Sequence, residues 1–299
     1  MIRIRIFPDH HYIQCTSQNA ADNYRNVCGL DANCSYNGKF ILVSDNSYTH
    51  AIVLNKAKPQ LKSIPKAHVL GLAFESNQFL KWNKEDYAYL DEYVGKYFAS
   101  SVPDDAPTLF QSHYTYMWHC QKRSVRNVKH NKQHTMSFMV SDRVFLPGHI
   151  YRLHLAAKIL SETDMDIHFY GSGCKLFEIK DTRIKGRFED YILFEDYKFT
   201  VAICNYPTES LVTEKFTDPI TFDCVPIHYG ASKINKYFGD RCCIELTGDT
   251  EHDLAVIKDV YNNPDNYNYD MTYAKQQLYE SYCYFPEMIC REFNLNRPL

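Results

Sequence analysis

Short apolar runs closed by polar turn residues recur along the whole chain, and they constrain its fold more than any other feature. In the first half they are Ile2–Phe7, Phe40–Val43, Ala51–Leu54 and His68–Phe74. In the second half they are Met136–Val140, Ile167–Tyr170, Phe199–Ile203 and Val225–Tyr229. Runs of this length without strict alternation read as strands buried on both faces. Segments of helical period lie between them. Glu85–Phe98 sets Leu90, Tyr93, Val94, Tyr97 and Phe98 at i, i+3, i+4, i+7 and i+8. Pro147–Leu160 opens on a first-turn proline and lines one face with Ile150, Leu153, Ala157 and Leu160. A short helix is expected near Ser210–Phe216 and another over Thr250–Tyr261, with Ser210 and Thr250 as N-caps. The tail Met271–Phe293 reads as helical, interrupted at Pro286. Strands alternating with helices on this scale give parallel sheets with crossover helices, in two units joined by a linker. Ligands of such sheets sit at the carboxyl ends of strands, so polar residues just after strands carry the functional interest.

Charge and apolar content narrow the function classes. The chain has 33 Lys+Arg against 36 Asp+Glu, a net charge of −3, which argues against a binder of nucleic-acid backbone. At 45% hydrophobic and 15% aromatic residues it is globular rather than disordered. No continuous apolar stretch is long enough for a membrane span, and Met1–Phe7 alternates apolar with basic residues, a first strand rather than a leader. The 11 cysteines are odd in number and lack C-x-x-C spacing, although Cys242 and Cys243 are adjacent. Buried free thiols in a reducing compartment fit this better than a disulfide framework or a zinc site. The basic stretch Lys122–Lys132 reads as an exposed linker, with a nucleic-acid patch as the alternative.

The chemistry concentrates after Phe199–Ile203. Asn205 and Pro207 make a turn, and Ser210-Leu-Val-Thr-Glu-Lys-Phe216 follows. A helix N-terminus there would present free N–H groups to an anion, with the charge of Lys215 beside it and Glu214 available to sugar hydroxyls. A solvated helix face is the alternative for the same residues. Pro219 then shortens or kinks the helix.

Several blocks occur here in order: Tyr197-Lys-Phe-Thr-Val-Ala-Ile-Cys-Asn205, Val212-Thr-Glu-Lys-Phe216 and Cys224-Val-Pro-Ile-His-Tyr-Gly-Ala231. Together they resemble the donor-binding signature of the α-1,3/1,4-fucosyltransferases, glycosyltransferase family ten. Val140-Ser-Asp142 followed by Arg152, and Met165-Asp-Ile-His-Phe-Tyr-Gly171, are similar to two further blocks of that family. Leu72-Ala-Phe-Glu-Ser-Asn77 resembles a motif of its first half. The chain departs from the pattern at Cys204, where the family has Glu, at Leu211, where it has Tyr, and at Tyr206, where it has Ser or Thr.

The resemblance implies an α/β fold of GT-B type: two Rossmann-like domains facing a cleft, with C-terminal helices packing back across. The expected boundaries are an acceptor-side domain over 1–130, a GDP-sugar donor-binding domain over 131–265 and a helical segment over 266–299. It implies inverting transfer of fucose from GDP-fucose to a hydroxyl of a glycan acceptor, in an α-1,3-type linkage. By the same resemblance Glu75 is the general base, Arg152 and Lys215 hold the diphosphate, Glu214 binds donor hydroxyls, and Asn205 and Thr213 contact the donor. No metal or cofactor is expected. Asp164-Met-Asp166 has the spacing of a metal motif found in another glycosyltransferase architecture, but Asp166 belongs to the family's strand block. Relatives from animals and plants usually carry a membrane anchor ahead of the first strand, so a cytoplasmic form of bacterial or viral origin is expected. Cys204 and Leu211 keep two alternatives in view: a weak or inactive nucleotide-sugar or glycan-binding protein on the same scaffold, and transfer of another GDP-sugar.

Overall fold

The computed structural model describes residues 1–9, 16–28, 30–112, 131–188, 191–280 and 284–295. The chain forms two compact units. One comprises Met1–Arg123, Thr208–Val212 and Gln277–Leu299; the other comprises Ser124–Pro207 and Thr213–Gln276.

The first unit is built on β1 (Ile2–Phe7), α1 (Ser17–Cys28), β2 (Ser35–Tyr36), β3 (Phe40–Leu42), β4 (His50–Leu54), β5 (Val69–Leu72), α2 (Asn77–Leu80), α3 (Lys84–Tyr93), β6 (Lys96–Ala99) and β7 (Phe110–Ser112). The sheet order is β2-β3-β1-β4-β5-β6-β7. Every pairing is parallel except β2 with β3. All of β4 is buried, as a strand covered on both faces must be. Tyr284, Phe285, Met288 and Ile289, near the end of the chain, pack into the same core as Ile4, Phe40 and Leu70.

The segment expected as one helix over Glu85–Phe98 is a helix followed by a strand. Asn83 and Asp86 form a capping box at the start of α3, and Val94 is already extended. At Gly95 a Cβ would come 2.7 Å from the Lys66 carbonyl, so the chain turns where only glycine fits. Tyr97 and Phe98 then enter the sheet beside β5, at 0% and 2% exposure. Their helical spacing from Leu90 was coincidental; aromatic residues fit a pleated surface well.

The second unit contains β8 (His134–Met139), α4 (Pro147–Glu162), β9 (Ile167–Tyr170), β10 (Ile184–Gly186), α5 (Ile192–Glu195), β11 (Tyr197–Thr208), α6 (Glu214–Thr221), β12 (Val225–Ala231), α7 (Ile234–Phe238), β13 (Ile244–Glu245) and α8 (Thr250–Asn262); α9 (Thr272–Glu280) begins in this unit, and α10 (Phe285–Glu292) belongs to the first. Its sheet order is β10-β9-β8-β11-β12-β13. From β8 the chain steps to β9 and β10 on one side, then returns to pair β11 in parallel with the other edge of β8. The connections after β8 and β11 therefore run in opposite directions. That divergence is the topological switch point, where open α/β sheets take their ligands.

Two further expectations need correction. Asp249, not Thr250, caps α8, its carboxylate accepting from the His252 N–H at 2.8 Å. Most of the basic stretch, residues 122–130, lies outside the described residues. Lys132 is described and is no exposed linker residue: its ammonium donates to the carbonyls of Phe194, Glu195 and Phe222. Among the described residues no helix is long and apolar enough to cross a membrane.

Candidate functional site

The carboxyl ends of β8 and β11 carry the site, and the start of α4 builds one wall of it. Pro147 opens the helix, its missing N–H costing nothing in the first turn. Gly148 follows because α4 lies directly on β11: a Cβ there would stand 2.0 Å from the Cys204 carbonyl oxygen and 2.7 Å from that of Asn205. His149 N donates to the Leu146 carbonyl at 3.0 Å, and Leu146 N donates to His149 Nδ1 at 3.2 Å. His149 and Arg152, three residues apart, share one helix face.

Arg152 is 2% exposed. Its Nη2 donates to the Ile203 carbonyl and, at 3.0 Å, to Asn205 Oδ1, so the guanidinium is tied to the end of β11. Its Nε has no partner. Burial brings the Arg152 pKa down to about 10, against the opposing pull of Cys204 and Glu214. The group remains a cation at neutral pH. His149 is 1% exposed, and its Nε2 has no partner. Burial, then the charges of Arg152, Arg143 and Lys215, hold its pKa at about 4, so the ring is neutral.

Cys204 fills the space beneath. Its Sγ lies 3.9 Å from Thr213 Oγ1, and burial pushes the thiol's pKa up. Gly230 on β12 makes room for it, since a Cβ there would meet Cys204 Sγ at 2.5 Å. A neutral thiol thus stands within electrostatic reach of Lys215, Glu214 and Arg152, where the fucosyltransferase pattern has a carboxylate.

The other wall is the start of α6. The expected cap, Ser210, lies ahead of the helix. Thr208 Oγ1 accepts from Ser210 N at 3.3 Å and from Leu211 N at 2.8 Å, holding that segment as a turn. The N-cap is Thr213, whose carbonyl accepts from Phe216 N and Thr217 N. Pro219 sits inside α6 without ending it. Glu214 and Lys215 fall in the first turn and form an ion pair, with side chains 54% and 13% exposed. Desolvation opposes the Glu214 charge, but the Lys215 ammonium, its hydrogen bond and Arg152 outweigh it and hold the carboxyl below its ordinary pKa. Lys215 also lines a small cavity with Met139, Phe194 and residues 200–203 of β11.

Arg152, Asn205, Thr213, Glu214 and Lys215 therefore all belong to the second unit, at the end of β11 and the starts of α4 and α6. Glu75 belongs to the first unit. It is half-buried in the turn between β5 and α2, directly before Ser76, the N-cap of α2. Asn55, at the end of β4, steadies that turn: its Oδ1 accepts from Phe74 N at 2.8 Å. Sequence reasoning did not single out His149, which the structure buries three positions before Arg152 on the same face of α4. Among the described residues, no group of three or more His, Cys, Asp or Glu side chains is arranged to hold a metal.

No family model matches the chain, and no curated protein matches it in sequence. Solved structures do. An α1,3-fucosyltransferase is similar over 100% of this chain and 91% of its own, at 12% identity and a TM-score of 0.56. An α-glucosyltransferase solved with UDP is similar over 98% of this chain and 100% of its own, at 10% identity and a TM-score of 0.55. TarM is similar over 82% of this chain and 54% of its own, at 12% identity and a TM-score of 0.54. At these identities the likeness establishes the fold: two Rossmann-like α/β units of the kind found in GT-B glycosyltransferases.

Proposed function

We propose that this protein is a glycosyltransferase that takes a nucleoside-diphosphate sugar at the carboxyl end of β11, and that GDP-fucose is its donor. The observation that carries the reading is the pairing of two cations, buried Arg152 and largely buried Lys215, with two helix starts at a topological switch point. That combination suits a diphosphate: a guanidinium fork and an ammonium neutralise its charge, and helix N-termini add favourable dipoles. The fold likeness includes an α1,3-fucosyltransferase solved with GDP-fucose, at 14% identity and a TM-score of 0.51.

The transfer needs a single displacement. A glycan hydroxyl attacks the anomeric carbon, its proton passes to a carboxylate, and the bond to the diphosphate oxygen breaks with inversion. Glu75 is the base in this scheme. Arg152 and Lys215 take up the charge that grows on the leaving GDP, so no metal is required. Glu214, whose carboxyl stays ionised, accepts hydrogen bonds from donor hydroxyls. Asn205 and Thr213 supply further donor contacts in this scheme.

The test is GDP release from GDP-fucose by purified protein over a panel of oligosaccharide acceptors. Lys215→Ala should lower turnover by roughly 100-fold or more, the usual cost of removing a group that stabilises the departing charge. Unchanged turnover would remove this site from the reaction. Glu75→Gln should lose transfer while keeping GDP binding; a variant that transfers normally would exclude Glu75 as base.

A second reading keeps the site and changes the donor. The α-glucosyltransferase with UDP has a fold likeness as close as that of the fucosyltransferase, and neutral Cys204 alters the charge beneath the ligand. Competition between GDP and UDP separates the two, because a site that hydrogen-bonds guanine rejects uracil. Tight GDP binding without turnover on any acceptor would favour a binding protein on this scaffold.

A further inference from the structure

We infer that His149 is a further donor-binding residue, whose Nε2–H donates a hydrogen bond to a phosphoryl oxygen of the bound nucleotide. The inference rests on the nucleotide-sugar reading above and adds to it a residue outside the family-like blocks. It starts from the ring's tautomer. Leu146 N–H donates to Nδ1 at 3.2 Å, so Nδ1 carries a lone pair and the proton is on Nε2. That Nε2–H has no acceptor, although the side chain is 1% exposed. A buried donor without a partner costs about 1–3 kcal/mol, and such groups in folded proteins have a reason.

The surroundings say which ligand group satisfies it. Arg152, Arg143 and Lys215 all act on the ring electrostatically, and the Phe145 ring packs on it edge-on at 4.7 Å between centroids. Asn205 acts on the ring as a weak hydrogen-bonding neighbour, but its Oδ1 is engaged by Arg152 Nη2 and makes no bond of full geometry to Nε2. Arg152 Nε is a second buried donor without a partner, one helical turn along the same face. Two unpaired N–H groups, a nearby ammonium and the start of the 16-residue helix α4 all ask for a group that only accepts. A phosphoryl group does that; a sugar hydroxyl brings a donor of its own.

A neutral imidazole also suits the place better than a third cation. Arg152 and Lys215 already supply full charges, and another would be repelled by both. The ring adds a directional hydrogen bond without adding charge. Its pKa of about 4 keeps it in that form throughout the neutral range.

Isosteric variants separate this role from the capping role of the same side chain. In His149→Asn the amide oxygen can still accept from Leu146 N–H, but nothing reaches the position of Nε2. In His149→Gln the amide nitrogen reaches that position. Titration calorimetry of the full chain with GDP and with inorganic pyrophosphate should show His149→Asn weakened at least about tenfold for both ligands, with its melting temperature kept. His149→Gln should recover most of the affinity. A second readout needs no variant: in the wild-type protein labelled with ¹⁵N-histidine, GDP should shift the Nε2–H resonance. Wild-type binding of GDP with an unmoved resonance, or with His149→Asn within twofold of wild type, overturns the role of His149 and leaves the nucleotide reading standing. A folded wild-type protein that binds neither GDP nor UDP overturns both. Pyrophosphate that binds unaffected by His149→Asn, while GDP is weakened, would move the contact from the phosphates to the nucleoside and overturn the assignment as stated.

Discussion

Replacing Gly148 by alanine tests how the site is assembled, because local propensity and packing predict opposite signs. Propensity favours alanine in a helix by up to about 1 kcal/mol, and less in the first turn. Packing opposes it. The added carbon would stand 2.0 Å from the Cys204 carbonyl oxygen, so α4 must retreat by more than an ångström to reach ordinary contact. The obstacle is strand backbone, which cannot rotate aside as a flexible side chain would. Overpacking of this kind costs about 1–3 kcal/mol. The net expectation is a loss of about 1–2 kcal/mol, which lowers the melting temperature by roughly 2–8 °C in a unit of this size. The same retreat pulls Arg152 from the Ile203 carbonyl and from Asn205, so GDP affinity should fall by more than its stability loss alone explains. Scanning calorimetry and GDP titration on one preparation check both. A variant with an equal or higher melting temperature and unchanged GDP affinity would refute the claim that α4 is seated on the end of β11.

Asn55→Ala should cost about 2–4 kcal/mol in a urea titration: it removes the acceptor of Phe74 N–H and puts alanine at a φ of +51°. If Glu75 is the base, kcat should fall with the donor KM kept; a fully stable variant would contradict the role given to this side chain. Stability should also decline in mild acid. Burial, chiefly, holds His50, His149 and His228 near a pKa of about 4, well below the unfolded value, so from about pH 6.5 down to about 4 the unfolded chain binds more protons than the folded one. Each adds a slope approaching about 1.4 kcal/mol per pH unit in that window, and denaturation midpoints that stay flat from pH 7 to pH 5 would exclude all three as buried neutral groups.

The strand pattern was legible because parallel strands buried on both faces must be continuous apolar runs. Ile2–Phe7 and Ile167–Tyr170 are strands over those same residues. The failures share a cause: they depend on what one segment meets elsewhere in the fold. Helical spacing over Glu85–Phe98 could not reveal that Gly95 approaches the Lys66 carbonyl. The hydroxyl of Ser210 made it a credible cap, but Thr208 claims the amides around it and moves the helix start to Thr213. Lys132 looked like part of a charged linker, yet carbonyls from three residues of the second unit bind its ammonium. Strands as short as β2, β7, β10 and β13 carry no period to read. Arg152, Asn205 and Lys215, which the structure gathers at the end of β11 and the starts of α4 and α6, were reachable through ordered sequence blocks. His149 was not, because its importance lies in which ring nitrogen Leu146 occupies.

Hydrogen exchange of the full chain with and without GDP locates nucleotide binding. Bound GDP should slow exchange over residues 146–152, 203–206 and 213–217, the start of α4, the end of β11 and the start of α6. Slowed exchange that leaves all three segments unchanged and appears elsewhere, under conditions where GDP is bound, would contradict this location.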